Sequence, residues 1–408
     1  MILDIIDKKR VGKELNYKEL YKVFNGYLNG DVADYQMSAF LMAICINGMT
    51  DEEVFALTKI FIDSGECLDL SEIHGIKVDK HSSGGIGDKT TLVVVPIVAS
   101  LGIPVVKMSG RGLGYTGGTI DKLESIKGYR TDLTDEEIIK QVNEINAVIT
   151  GQTVELVPMD KAIYALRDVT ATVSSVPLMA SSIMSKKIAA GADKIIIDIK
   201  TGEGALLQKK EDAKELKRLM IEIGKIYNRE VKCIISDMNT PLGYAVGNSL
   251  EVLEAIDVLK GVDKESNFYD LCIKIATDMV SMGLEISSEE AEKKVEEVIN
   301  NKKAYNRFLE IIKYQGGDIN TIKVSPKTIR IKSKKSGIVK DIVTLEVGKL
   351  SVELGAGRKN IDDKIDHTVG IILNKTVGDK VKKGELLMTL YVNKTVPKVD
   401  IDKIFTID

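Results

Sequence analysis

The stretch Lys80-His-Ser-Ser-Gly-Gly-Ile-Gly-Asp-Lys-Thr-Thr91 follows a short apolar segment, Ile76-Lys-Val78. A second stretch of the same kind, Lys107-Met-Ser-Gly-Arg-Gly-Leu-Gly-Tyr-Thr-Gly-Gly-Thr119, follows Ile103 to Val106. Both apolar segments are predicted to be strands, because they combine β-branched residues with flanking turn residues. Open α/β sheets bind ligands where their strands end. Both stretches are therefore predicted to be ligand-binding loops.

The composition of this region indicates an anion as the ligand. Residues 76–130 hold ten of the 34 glycines, and they carry eight Lys or Arg against four Asp or Glu in a chain whose net charge is −3. Glycine lets backbone N–H groups approach an anion without interference from a Cβ atom, and lysine supplies positive charge. The region is therefore predicted to bind phosphate.

Two common nucleotide motifs fit these loops poorly. A Walker-type loop has Gly immediately before its Lys, whereas Asp88 precedes Lys89 here. The run from Gly112 to Gly117 matches GxGxxG. However, the acidic residues some twenty positions later belong to Thr134-Asp-Glu-Glu137, a capping box that is predicted to start a helix. Neither a nucleotide triphosphatase nor a dinucleotide-binding fold is favoured.

The remainder of the chain indicates a cytoplasmic α/β protein. The N-terminus lacks the apolar core of a signal peptide, and no run reaches the ~18 apolar residues of a membrane span. The charge balance does not indicate nucleic-acid binding. The four scattered cysteines are expected to be reduced thiols. After about residue 322, short β-like segments separated by Gly, Asn and Asp predict a β-rich module, without the displayed lysine of a biotinyl or lipoyl carrier.

Of the three histidines, His81 alone lies in a phosphate-type loop, between Lys80 and Ser82. An imidazole at that place can act as a general acid near neutral pH. His74 and His367 are expected to have no chemical role.

Four segments, in order, resemble the signature of the thymidine/pyrimidine-nucleoside phosphorylases. They are Lys80 to Asp88, Ser109 to Glu124, Tyr164-Ala-Leu-Arg-Asp-Val-Thr-Ala-Thr172 and Ser181-Ser-Ile-Met-Ser-Lys-Lys187. The resemblance implies an α/β fold in which a helical domain faces a mixed α/β-sheet domain across a cleft, with a C-terminal β-rich module. The implied bounds are 1–65 plus 162–192 for the helical domain, 70–161 plus 193–322 for the phosphate-binding domain, and 323–408 for the C-terminal module.

The resemblance also implies two groups of binding residues. The phosphate set is Lys80, His81, Ser82, Thr91, Lys107, Met108, Ser109 and Thr119. The base set is Tyr164, Arg167, Ser182 and Lys186. Together Arg167, Ser182 and Lys186 offer donors for the pyrimidine carbonyls and a hydroxyl acceptor for N3, with Tyr164 nearby. His81, Arg167 and Lys186 are the expected catalytic residues.

The implied activity is reversible phosphorolysis of uridine, thymidine and deoxyuridine to free base and (deoxy)ribose 1-phosphate by a homodimer, without an organic cofactor. Several members of that family bind a monovalent cation, so the resemblance implies a potassium site at Gly87, Lys89, Leu242, Ala245 and Glu254. In that site Glu254 is expected to be the one charged ligand, and the other residues are expected to contribute uncharged atoms such as backbone carbonyls. Tyr115 stands where the family usually has His. Lys107 resembles the residue that broad-specificity members have at this position. A lysine there can donate to a ribose 2′-hydroxyl, which favours uridine as a substrate beside the deoxynucleosides.

Three alternatives stay open. A strict thymidine phosphorylase would reject uridine. An anthranilate-type phosphoribosyltransferase shares a Gly-Gly-x-Gly-Asp loop, but that activity leaves the segment Arg167 to Thr172 unexplained. A non-catalytic nucleoside-binding protein would have no need of a proton donor such as His81 beside a phosphate site.

Overall fold

The computed structural model describes residues 1–112, 114–115, 117–153, 156–262, 264–358, 363–394 and 399–408. The chain forms two compact units. The first comprises Met1–Glu72, Thr153–Ile197 and Lys209–Cys233, and the second comprises Ile73–Gln152, Asp198–Gln208 and Ile234–Asp408. The chain passes from one unit to the other within two strands, Lys194–Thr201 and Glu230–Asp237. The domain bounds expected from the sequence stay a prediction.

The first unit is mainly helical. Its helices are α1 (Ile2–Arg10), α2 (Tyr17–Leu28), α3 (Asp34–Asn47), α4 (Asp51–Ile62), α8 (Pro158–Asp168), α9 (Val176–Ala189) and α10 (Lys210–Ile226). Capping boxes start α2 and α4: Asn16 and Thr50 each accept a hydrogen bond from the N3 amide, and the N3 glutamate accepts one in return. Phe24 packs edge-on against Phe40 and Phe61, with ring centroids 5.8 and 5.5 Å apart.

The second unit contains the two Gly-rich stretches. Its first elements are β1 (Val78–Ser82), α5 (Thr90–Ser100), β2 (Val105–Ser109), α6 (Thr119–Leu123), α7 (Asp135–Ile145) and β3 (Ala147–Gly151). The capping box at Thr134 starts α7, as predicted. β2 and β3 pair in parallel, from Val105 opposite Ala147 to Ser109 opposite Gly151. A separate three-stranded sheet has the order β1-β4-β5, where β4 is Lys194–Thr201 and β5 is Glu230–Asp237.

Two predicted strand positions are wrong by two or more residues. The strands begin at Val78 and Val105 and extend through Ser82 and Ser109. The residues Lys80 to Ser82 and Lys107 to Ser109 therefore lie within strands, not in the loops that follow them. Charged and polar residues are unusual in buried strands, which is why the pattern places the strand ends too early.

Further helices and the β-rich module complete the second unit. The elements are β6 (Ala245–Val246), α11 (Asn248–Leu259), α12 (Asn267–Leu284), α13 (Ser288–Asn300), α14 (Lys303–Tyr314), β7 (Thr328–Lys332), β8 (Gly337–Ile342), α15 (Thr344–Leu354), β9 (Gly370–Leu373), β10 (Lys380–Val381), β11 (Leu386–Tyr391) and β12 (Phe405–Ile407). The sheets have the orders β10-β8-β12 and β6-β9-β11-β7. Val339, Val347, Ile371 and Leu387 are among the fully buried residues of their common core.

Candidate functional site

The first Gly-rich stretch, residues 80–91, is the predicted phosphate-binding stretch and is called the anion segment below. Its side chains are organised around Asp88. The Lys80 ammonium donates to the Thr90 hydroxyl. That hydroxyl donates to Asp88 Oδ1 at 2.7 Å, and the Thr90 amide donates to the same oxygen at 3.1 Å. Ser82 Oγ donates to Asp88 Oδ2 at 2.5 Å. Lys80 and Ser82 are therefore held in one hydrogen-bonded network that joins the end of β1 to the start of α5.

Buried lysines hold Asp88 in its charged form. Burial alone would raise the pKa of the Asp88 carboxyl, but Lys200, Lys80 and the hydroxyls of Ser82 and Thr90 bring it well below its usual value. Lys200 lies 3.8 Å from Asp88 and 2.7 Å from Asp198, counted between the ammonium and the carboxylate oxygens. The Lys200 pKa is raised, because these carboxylates outweigh the burial that opposes its charge.

His81 lies half-buried in β1 between Lys80 and Ser82. Thr91 is buried in the first turn of α5. Backbone N–H groups in the first turn of a helix lack intrahelical partners and favour negative charge. A strand followed by a glycine-rich turn and the start of a helix is therefore an arrangement that suits anion binding at the helix N-terminus.

The second strand carries three more members of the phosphate set. Lys107, Met108 and Ser109 are all buried in β2. The Lys107 ammonium donates to the Met108 carbonyl oxygen at 2.6 Å. Ser109 Oγ is buried without a hydrogen-bond partner among the described residues. A buried hydroxyl without a partner is costly, so Ser109 is a candidate to contact a ligand.

The loop after β2 is closed by α6, which starts at Thr119. The Gly112 amide donates to Asp121 Oδ2 at 2.5 Å. A Cβ atom on Gly118 would come within 2.2 Å of the Gly112 nitrogen, so the backbone there requires glycine. Tyr115 is about half exposed, at 46%. Leu113 and Thr116 of the predicted signature lie outside the described residues.

The five residues of the expected cation site come together around the side chain of Lys89. The Lys89 ammonium donates to the carbonyl oxygens of Leu242 at 2.5 Å and Ala245 at 3.1 Å, and it pairs with Glu254 Oε2 at 2.5 Å. A Cβ atom on Gly87 would lie 2.8 Å from the Leu242 oxygen. The charged end of Lys89 lies at the centre of this group. The expected cation site stays a prediction.

In the first unit, Arg167 is fully buried on α8 and bound to backbone carbonyls. Its Nε, Nη1 and Nη2 atoms donate to the oxygens of Thr172 at 3.3 Å, Leu178 at 3.3 Å and Val173 at 2.7 Å. Burial lowers the pKa of the guanidinium, and nearby Asp160 and Tyr164 oppose that effect. A guanidinium has five N–H donors. Two donors beyond these three bonds are therefore left for other contacts.

The other members of the base set gather around Asp160, a residue absent from the sequence-based candidates. The Lys186 ammonium lies 2.5 Å from Asp160 Oδ2 and donates to Ser182 Oγ at 3.2 Å. Ser182 Oγ donates to the same Asp160 oxygen at 3.0 Å. The ammonium also lies 5.1 Å from the ring centre of Tyr164. Ser182 and Lys186, four residues apart in α9, therefore lie on one face of that helix.

Asp160 is fully buried, and its second oxygen, Oδ1, has no hydrogen-bond partner among the described residues. Asp160 lies in the first turn of α8, where acidic residues are common because they interact favourably with the helix dipole. Its position in the sequence therefore did not mark it as a site residue. Asp160 and Lys186 are distant in sequence, so spacing alone could not have revealed the pair. Asp88 and Lys200 were missed as partners for the same reason.

Among the described residues, no helix is both long and apolar enough to cross a membrane. The same residues contain no cluster of three or more His, Cys, Asp or Glu side chains suited to a metal ion. All four cysteines are free thiols.

Three family models match the chain. The helical bundle domain of the glycosyl transferase family matches residues 3–65, and the a/b domain of that family matches residues 74–305. The pyrimidine nucleoside phosphorylase C-terminal domain matches residues 338–404. These matches confirm the predicted fold class of helical domain, α/β domain and β-rich C-terminal module.

Curated relatives are similar over nearly the whole chain. The pyrimidine-nucleoside phosphorylase of Bacillus subtilis (strain 168) is 51% identical over 96% of this chain and 92% of its own length. The enzyme of the same name from Geobacillus stearothermophilus is 50% identical with the same coverage. Among solved structures, anthranilate phosphoribosyltransferase from Thermus thermophilus matches with a TM-score of 0.60 at 16% identity, covering 76% of this chain and 99% of its own. That last likeness shows the fold alone.

Proposed function

Because the chain belongs to the pyrimidine-nucleoside phosphorylase family, we propose that it catalyses the reversible phosphorolysis of uridine, thymidine and deoxyuridine. The products are the free base and ribose or deoxyribose 1-phosphate. The observation that carries the proposal is the presence, in one chain, of the Asp88-centred anion segment and the Lys186–Asp160–Ser182 cluster.

The phosphate set is assigned to inorganic phosphate. Lys80, Lys107 and the unpartnered hydroxyl of Ser109 offer charge and a hydrogen bond, and the first turns of α5 and α6 offer backbone N–H groups at Thr91 and Thr119. Phosphate is a strong acceptor that such donors suit.

The base set is assigned to the pyrimidine ring. Lys186 and the two spare donors of Arg167 suit the ring carbonyls. Ser182 both donates to Asp160 and accepts from Lys186, so its hydroxyl is oriented by charged neighbours. Tyr164 packs beside both cations and supplies an aromatic face.

In the proposed reaction, a phosphate oxygen attacks the anomeric carbon as the bond from that carbon to N1 of the base breaks. The electron pair of that bond leaves with the pyrimidine, so negative charge develops on the ring. Lys186 and Arg167 stabilise this charge electrostatically, and His81 supplies or relays the proton that the departing base takes up.

The role of His81 is tested with His81→Ala. A general acid contributes about 10²- to 10⁴-fold, so kcat should fall within that range. The exposed His74 offers a matched control, because His74→Ala should leave kcat unchanged. If His81→Ala retained full kcat, His81 would have no part in the mechanism.

The breadth of substrates is assigned to Lys107. Its buried ammonium donates to the Met108 carbonyl oxygen, and an ammonium group is a donor that suits a ribose 2′-hydroxyl. We therefore favour uridine as a substrate beside the deoxynucleosides. Lys107→Met should reduce kcat/KM for uridine more than for deoxyuridine. An equal reduction for both would remove this role.

We further propose a cytoplasmic homodimer whose partners are small molecules, with no role for nucleic acid or membrane. Light scattering on the purified chain tests the dimer. A monomeric mass at assay concentrations would overturn it.

The proposed activity is tested by incubating the purified chain with uridine, thymidine or cytidine, with and without phosphate, and following release of base. We expect phosphate-dependent release from uridine and thymidine. Release of base from thymidine but not from uridine would favour a strict thymidine phosphorylase. If neither nucleoside released base in a phosphate-dependent way, the proposal would fail.

A further inference from the structure

The end of the Lys89 side chain is surrounded by oxygen atoms. Its ammonium lies within 3.1 Å of the Leu242 and Ala245 carbonyl oxygens and of a Glu254 carboxylate oxygen. The side chain has no exposed surface, and the Glu254 side chain is 9% exposed. The Phe268 ring centre lies 4.7 Å from the same nitrogen. The charge is thus enclosed by oxygen on one part of its surface and by an aromatic face on another.

This donor set has the chemistry of a monovalent cation site. Backbone carbonyl oxygens are the ligands with which proteins replace the hydration shell of potassium, and the single carboxylate balances one positive charge. An ammonium group is a compact positive charge with three N–H donors. Three oxygen acceptors surround Lys89, so its three donors are matched by the protein itself.

A second cation does not fit beside the ammonium. Two positive charges a few ångströms apart in a buried site repel strongly, and Glu254 can balance one of them. The Glu254 oxygens also accept hydrogen bonds from the Tyr244 amide at 2.6 Å and the Ala245 amide at 2.9 Å. The carboxylate therefore has little capacity left for another ligand.

We infer that the ammonium of Lys89 takes the place of the monovalent cation expected at this site, so that the chain is independent of potassium. Lys89 directly precedes Thr90, which bonds to both Lys80 and Asp88. The Leu242 amide also donates to the Ile86 carbonyl at 3.1 Å. The ammonium thereby ties the anion segment to residues 242–254, a task that a bound ion would otherwise perform.

The inference rests on the proposed function for its kinetic test, but its thermal test does not. The unaltered chain is compared in KCl and in choline chloride at about 0.1 M, so that ionic strength is constant. Both the melting temperature and the phosphate-dependent release of uracil from uridine should be the same in the two salts. A melting temperature that rises with added KCl in a saturable manner would overturn the inference, whether or not the chain is active.

The Lys89→Thr variant should acquire the dependence that the parent chain lacks. In choline chloride its melting temperature should fall and its rate should drop by about 10- to 100-fold, the range that is typical when support of a metal site is lost. Added KCl should restore both. If the Lys89→Thr chain folds but its melting temperature and rate do not respond to added KCl, the inference is overturned, because the oxygen atoms would then not form a cation site.

The matched control is Lys9→Thr. Lys9 and Glu53 form another buried pair, 2.8 Å apart, in which both Glu53 oxygens accept hydrogen bonds from the Lys9 ammonium. Its loss should lower the melting temperature to the same extent in both salts. If Lys89→Thr does not fold in either salt, the two-salt comparison of the unaltered chain still decides the matter.

Discussion

The anion segment of the second unit and the base set of the first unit use buried charge in different ways. Around the anion segment, Asp88 is balanced by Lys80 and Lys200, and Asp198 pairs with Lys200 again. In the base set, two cations, Arg167 and Lys186, lie near one buried aspartate, Asp160.

That difference matches what each region is proposed to bind. Phosphate arrives with its charge already formed, so hydroxyls and helix N-termini in a balanced setting can hold it. The pyrimidine becomes negative only during the reaction. A region with an excess of positive charge stabilises that state more than the neutral substrate, which is the condition for catalysis.

The largest expected effect is that of Lys186→Met. Removing the ammonium takes away stabilisation of the departing base, so kcat should fall by about 10²- to 10³-fold. The same change removes the ammonium that contacts the buried Asp160, leaving Arg167 as the nearby cation, and should lower the free energy of unfolding by about 3 kcal/mol. Steady-state kinetics and urea denaturation measure the two effects.

The double variant Asp160→Asn/Lys186→Met separates them. It also removes the Asp160 charge that Lys186→Met leaves without its ion-pair partner, so the free energy of unfolding should recover in part while kcat stays low. A double variant that regained activity would show that Lys186 acts through stability and not on the base.

The next effect concerns Arg167. Arg167→Lys keeps the positive charge but loses the planar guanidinium whose N–H groups donate to three backbone carbonyls. The free energy of unfolding should therefore fall by about 2–4 kcal/mol. Arg218, which forms exposed pairs with Asp51 and Glu215, is the control. Arg218→Lys should change stability by less than about 1 kcal/mol. Equal, small losses for both variants would mean that the carbonyl contacts of Arg167 contribute little.

A smaller effect is expected at Ser109. Because its buried hydroxyl has no partner among the described residues, Ser109→Ala breaks no protein hydrogen bond and should leave the melting temperature nearly unchanged. It should raise the KM for phosphate by about tenfold, the equivalent of one hydrogen bond. Ser249, another buried hydroxyl without a partner there, is the control, since Ser249→Ala should change neither quantity. An unchanged KM in Ser109→Ala would remove Ser109 from the phosphate set.

The two regions also differ in how far the sequence could predict them. The anion segment is local, because its glycines, lysines and hydroxyls all lie within residues 80–91. Composition and motif were therefore enough to predict phosphate binding there, which stays a prediction. The capping box at Thr134 formed as predicted for the same reason. Such features depend on neighbours in the chain.

Features that depend on distant residues were missed. Asp160 meets Lys186 across 26 positions, and Asp88 meets Lys200 across 112. Strand β1 contains Lys80, a charged residue that sequence patterns place in a loop. Its burial is tolerable because its ammonium donates to the Thr90 hydroxyl, which lies ten residues later at the start of α5. The role of Lys89 depends on carbonyls more than 150 residues away.

The smallest effect is the dependence of stability on pH that Asp88 confers. The pKa of its carboxyl is depressed in the folded chain, so its stabilising contribution is present above the unfolded value of about 3.9 and is lost as pH falls through the folded value. Between about pH 5 and pH 8 the carboxyl does not titrate in either state. The difference in free energy of unfolding between the parent and Asp88→Asn should therefore be constant across that range and shrink below about pH 4. Urea denaturation at several pH values measures it. If the difference in free energy of unfolding changed between pH 5 and pH 8, Asp88 would not be held in its charged form. The charges of the anion segment would then not balance, and the contrast with the positively charged base set would not hold.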